Sequence, residues 1–174
     1  WSTHVEHLLQ KGRQRATLLR FMARRLPAYV LTRLYLAFLQ PILEYACEVW
    51  HSATTEKDSL ALERLQASVA RSILQYPTRT PKSELFEALK WPALRWRRAV
   101  RCVCFLHQQL DLKNGPFSDL LPKFASSRPR QLILPQAQAK RTLNAPLTYS
   151  AILWNDLPVE LQNIRGKAQF KLVL

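Results

Sequence analysis

Three glycines in a chain of 174 residues leave few places for the tight turns on which a sheet-rich protein depends. The chain is therefore expected to be mostly helical. Apolar residues make up 48% of it, enough for a core in one domain or two small ones and too many for wholesale disorder.

Helical periodicity runs through the first two thirds. Over residues 2–26, Val5, Leu8, Leu9, Gly12, Ala16, Leu19 and Ala23 share one stripe at about 100° per residue. Lys11, Arg15 and Arg25 flank it on one side and Arg13, Arg20 and Arg24 on the other, and Glu6 is the only acid on the helix. Pro27 suits the first turn of a second helix, where a missing N–H costs nothing. That helix carries Val30, Leu31, Leu34, Tyr35, Phe38 and Leu39, reads as apolar nearly all round, and is expected at the centre of the core. Pro41 predicts a kink or break, with helix resuming through Trp50. Thr55 to Asp58 resembles a capping box with Asp in place of Glu. It opens a helix bearing Leu60, Leu62, Leu65, Val69, Ile73 and Leu74 that ends near Tyr76.

Thr80-Pro81 predicts a short helix to about Leu89. Pro92 predicts a longer one with Trp96, Ala99, Val100, Val103, Leu106 and Leu110 on its core side and Arg97, Arg98 and Arg101 opposite. Asn114-Gly115-Pro116 is its stop signal. Beyond it prolines recur and no acid falls between Asp119 and Asp156, while Lys123, Arg128, Arg130, Lys140 and Arg141 are basic. Short helices are expected around residues 150–155 and near Phe170. The fold class is mostly α: a bundle of about five helices over residues 1–113, then a Pro-rich basic extension with short helices over 114–174.

A net charge of +14 points to a polyanionic partner. Nucleic acid comes first, ahead of an anionic membrane surface or an acidic protein. No run of about 18 apolar residues predicts a membrane span. Cys47, Cys102 and Cys104 cannot all pair with one another and read as reduced thiols of an intracellular protein. The absence of an initial Met suggests a piece of a longer polypeptide.

Little points to chemistry. Two-metal catalysis needs clustered carboxylates, yet Asp58, Asp111, Asp119 and Asp156 are dispersed. Glu44 and Glu48, one turn apart, are expected to satisfy nearby arginines rather than to share a cation. His4 and His7 with Cys102 and Cys104 form no zinc pattern, because Cys-x-Cys in a helix points its thiols apart. Phosphate-cradling glycine loops are missing. No enzyme, metal or cofactor is expected of this chain itself. The remaining candidates are cationic: Lys11, Arg13, Arg15, Arg20, Arg24 and Arg25, then Arg95, Arg97, Arg98 and Arg101 beside Trp91 and Trp96. A basic helix face can follow a phosphate backbone, and the tryptophans read as core rather than as stacking platforms.

Ordered motifs carry a resemblance. Trp1-Ser2-x-His4-Val5, Leu34-Tyr35, Pro41-Ile42-Leu43-Glu44-Tyr45 and Val49-Trp50 are followed by Leu62-Glu63-x-x-Gln66, Ala70-Arg71-x-Ile73 and Trp91-Pro92-x-Leu94 with Arg97-Arg98. Trp154-Asn155-x-Leu157-Pro158, Ile164-Arg165 and Phe170-Lys171 close the series. Together they resemble the thumb and post-thumb region of non-LTR (LINE-type) retrotransposon reverse transcriptases, along essentially the whole chain. The resemblance implies a parent RNA-directed DNA polymerase that uses Mg²⁺, with its catalytic aspartates upstream of Trp1 and no catalytic residue carried over. It implies a thumb in the first three helices and an extension from about residue 114, without a zinc knuckle. It also implies a nuclear location, and as partners RNA template, DNA primer or their hybrid together with the palm and fingers of the same polypeptide. The alternatives are a helical protein-interaction or assembly module, or a decayed retroelement remnant.

Overall fold

The computed structural model describes residues 1–112, 115–126, 130–135 and 140–173, and among them the chain is helical, with no strand beyond one isolated antiparallel bridge between Phe124 and Leu132. In chain order the α-helices are α1 (Ser2–Met22), α2 (Ala28–Leu34), α3 (Gln40–Glu44), α4 (Cys47–Trp50), α5 (Glu56–Leu74), α6 (Lys82–Leu89), α7 (Leu94–Asp111), α8 (Lys140–Leu143), α9 (Pro146–Asn155), α10 (Val159–Gln162) and α11 (Lys167–Val173). A π-helical turn (Tyr35–Leu39) joins α2 to α3. By packing, the chain forms two compact units, Trp1–Ala46 with Thr54–Arg97, and Cys47–Ala53 with Arg98–Leu174. The boundary anticipated between residues 113 and 114 lies outside the described residues, as do Arg128 and the Asn114 of the stop signal.

In the first unit α1 packs along α5. The two run parallel, as contacts in step along them show: Ser2 Oγ donates to Asp58 Oδ2 at 2.8 Å, Arg20 Nη2 to Ser68 Oγ at 2.7 Å, and Gln75 Nε2 to Ala23 O at 3.2 Å. Every member of the predicted α1 stripe is buried. Gly12 lets the helices close: a Cβ there would meet Leu65 Cδ2 at 2.7 Å and Leu43 Cδ2 at 3.2 Å. Thr55 caps α5, its hydroxyl accepting from the Asp58 N–H at 3.1 Å, as the box predicts. The Ser2 hydroxyl, and after it the Thr55 hydroxyl, hydrogen-bonds the Asp58 carboxyl and holds it below its usual range.

Pro41 explains the π turn. It has no N–H to offer the carbonyl four residues back, and its ring crowds that carbonyl. The preceding turn widens, so the Gln40 N–H reaches Tyr35 O, five residues back. The second helix does not lie at the centre of the core as expected. Leu31, Tyr35 and Leu39 are buried, but Tyr29, Leu36 and Phe38 are exposed, because α1 and α5 cover one face only. Nor does helix run unbroken to Trp50. Tyr45 turns extended, with ψ 124, and Ala46 takes φ 48. The two sides of this break bury their residues in different units, Leu43 in the first and Cys47 and Trp50 in the second.

The core of the second unit gathers Val103, Cys104, Leu106, Leu132, Ala151, Trp154 and Phe170. The closing motif builds much of it. Trp154 Nε1 donates to Arg130 O at 2.9 Å. Asn155 takes both backbone groups of Leu132, accepting from its N–H and donating to its carbonyl, each at 2.9 Å, as a neighbouring strand would. Gln162 Nε2 donates to Trp154 O at 2.8 Å and Leu157 O at 3.1 Å. His107 stacks on Phe170 with centroids 4.1 Å apart, and its Nε2–H donates to Ile164 O at 2.8 Å, since a carbonyl only accepts.

Candidate nucleic-acid interface

The site is built on α1. Because its apolar stripe is used up against its neighbours in the first unit, the remaining circumference faces solvent, and Lys11, Arg13, Arg15 and Arg20 are exposed on it, with Arg24 and Arg25 exposed in the turn that follows. Arg13 and Arg20 stand two turns apart, about 10 Å along the axis. None of the six lies within ion-pair distance of a carboxylate among the described residues. Arg20 is steadied by Ser68, and the Arg25 guanidinium sits 5.2 Å from the centre of the Phe21 ring. Arg20 lies in the last turn of α1, and Arg24 and Arg25 just beyond its C-terminus, where the helix dipole favours positive charge. These cations thus stay exposed, with no carboxylate within ion-pair distance among the described residues.

The second predicted cluster divides: Arg95 and Arg101 are exposed, Arg97 is half-buried and Arg98 is buried. Arg97, Arg98 and Arg101 were expected together on an exposed face of α7, with Trp96 in the core. Instead Trp96 is 56% exposed and Arg98 0%. The buried row of α7 runs through Leu94, Arg98 and Cys102, spaced four apart, and Trp96, two residues from both Leu94 and Arg98, turns about 200° from them. The rest of the expected core side holds, with Val103 and Leu106 buried and Val100 and Leu110 packed against the second core, so the errors are the single positions Trp96 and Arg98. In the first unit Arg97 Nε pairs with Glu44 Oε1 at 2.7 Å, while its Nη2 donates to Tyr35 Oη at 3.2 Å and its Nη1 to Gln40 Oε1 at 3.4 Å. In the second unit the Arg98 guanidinium lies 5.3 Å from the centre of the Trp50 ring, and Arg101 Nε donates to Glu48 Oε1 at 3.0 Å. Glu44 and Glu48 thus serve arginines, as their spacing suggests. Of this cluster only Arg95 stays on the surface of the first unit, in a loose pair with Glu56 at 3.7 Å.

These arginines organise the fold instead. Trp91 is buried and stacks on Tyr35, ring centres 3.9 Å apart. Burial pushes the Tyr35 phenol up to about 12, against the lowering effect of Arg97 and with smaller upward contributions from Glu44 and Glu63. Glu63, itself buried, accepts the Arg95 N–H at 2.7 Å and so places an anion at the N-terminus of α7. These are the residues of the Leu62-Glu63-x-x-Gln66 and Trp91-Pro92-x-Leu94 motifs, and Gln66 Nε2 donates to Pro92 O at 3.3 Å.

Cys47, Cys102 and Cys104 are buried thiols, and burial, with Glu48 adding to it, pushes Cys102 up to about 12, the opposite of an activated nucleophile. No group of three or more His, Cys, Asp or Glu among the described residues is arranged to hold a metal ion. No helix among them is long and apolar enough to cross a membrane. What sequence reading missed is the apolar part of the α1 surface: Leu18 and Phe21 are exposed among the cations. The signal was present, since neither belongs to the stripe from Val5 to Ala23. No protein family, curated protein or solved structure matches the chain.

Proposed function

We propose that this chain is the non-catalytic thumb and post-thumb region of a retroelement reverse transcriptase, and that it grips primer–template by its phosphate backbone through α1. The observation that carries the mechanism is the set of exposed cations on α1 without a carboxylate partner. An A-form-like hybrid is held through phosphates and groove shape, not base edges. The ordered motifs supply the parentage. In this reading the parent's catalytic aspartates, Mg²⁺ and endonuclease belong to other parts of the polypeptide. The exposed Tyr29, Leu36 and Phe38 of the first unit offer an apolar surface to palm or fingers.

Charge reversal of Arg13, Arg20 and Arg24 to Glu is expected to weaken binding of an RNA–DNA hybrid. It should also flatten its dependence on salt, each lost phosphate contact reducing the slope by about 0.9 for B-form DNA. Affinity unchanged across a salt titration removes α1 from the mechanism. The same apolar surface favours a second reading, a protein-docking module whose charge serves solubility or an acidic partner. Such a module binds no hybrid at moderate salt.

A further inference from the structure

We propose that the basic face of α1 also holds unpaired nucleotides, with Phe21 as the platform on which a nucleobase stacks; this rests on the nucleic-acid reading above. Phe21 is 63% exposed and Leu18 54%. Phe21 stands in the last turn of α1 beside Arg20, and Arg24 and Arg25 follow in the turn just after it, with Leu18 three residues before Phe21. The Arg25 guanidinium already lies over the Phe21 ring at 5.2 Å. Two exposed apolar side chains therefore stand close in sequence to Arg15, Arg20, Arg24 and Arg25, and Arg25 is over one of them.

The ligand that complements this arrangement must be anionic and must also present a flat apolar face. A protein partner fits poorly, because charged residues are depleted at the core of protein interfaces. A bilayer needs a broad apolar helix face, and the broad face of α1, from Val5 to Ala23, is buried within the unit. A paired duplex brings phosphates to the arginines but keeps its base faces inside the stack. An unpaired strand brings both, its phosphates to the cations and a base to the ring, the combination by which single-strand binders hold their ligands.

The test uses the full 174-residue chain and fluorescence anisotropy with a labelled oligothymidylate of about 15 nucleotides, within the usual span of such sites. A hybrid of equal length and vesicles of phosphatidylserine and phosphatidylcholine are run beside it. Phe21→Ala is expected to weaken oligothymidylate binding about tenfold, in the range of one lost stacking contact. It should leave hybrid binding within about twofold of the original. Phe21→Tyr, which keeps the ring, retains the affinity. Equal losses on both ligands, or no loss on oligothymidylate while hybrid still binds, overturn the platform and leave the grip on duplex standing. Binding to neither nucleic acid overturns both, and binding that depends on Phe21 only with the anionic vesicles assigns the face to a lipid surface instead.

Discussion

Arg97 and Arg13 carry the same charge and do different work, and the difference is burial. The Arg97 side chain is 14% exposed and its partner Glu44 6%, so removing either strands the other away from water. Arg97→Ala and Glu44→Ala are each expected to lower unfolding stability by about 3 kcal/mol or more. The double variant should lose clearly less than the sum, as a urea-melt double-mutant cycle will read. Arg13→Ala, on the surface, should stay within about 0.5 kcal/mol. The same network makes a pH prediction. The folded Tyr35 phenol titrates at about 12, above its unfolded value near 10, so the native state holds this proton longer. The stability it contributes is complete below pH 10 and is lost as pH rises from 10 through 12, in all roughly 3 kcal/mol. Stability measured against pH should fall less steeply across that window in Tyr35→Phe.

Scarcity of glycine leaves its mark on the ends of the helices. α5 and α6 terminate on Gln75 and Lys90 in the left-handed region, at φ 55 and 53, where a glycine would sit without strain. The Gln75 side chain is engaged with Ala23 O, whereas Lys90 is exposed. Lys90→Gly is therefore expected to raise the melting temperature, by about 0.5–1 kcal/mol of stability, since relief of the αL strain exceeds the entropy glycine adds to the unfolded chain. A lowered melting temperature would show that the αL backbone at this position is not strained. α1 was legible almost residue by residue, because a single stripe against a polar remainder has one phase only. α7 was legible only in part: Val103 and Leu106 are buried as its period says, but Trp96, placed inside for its size, is exposed, and burial of Arg98 over Trp50 violates the rule that put arginines outside.

At the scale of the whole molecule, the described residues after 114 show how short helices and a Pro-rich segment are joined. The helices anticipated around residues 150–155 and near Phe170 are present as α9 and α11. What joins the segment 130–134 to them is side-chain chemistry, above all Asn155 on the backbone of Leu132 and Trp154 on Arg130 O. Asn155→Ala strands a buried N–H and C=O together and is expected to cost about 2 kcal/mol or more. Amide exchange at Leu132 should accelerate with it, and protection unchanged there would show that Asn155 does not anchor the segment.

From its sequence alone the chain was determined to be helical, to start its principal helices near residues 2, 27, 55 and 80, and to carry an amphipathic α1 whose exposed side is cationic. Those features are local: turn residues, caps and a 3.6-residue period act within a few positions of one another. Which cations remain available was decided only by tertiary packing. Glu44 reaches Arg97 across 53 residues of sequence, and Glu48 reaches Arg101 across the same span. A neutralising partner so distant leaves no trace in the spacing of either residue.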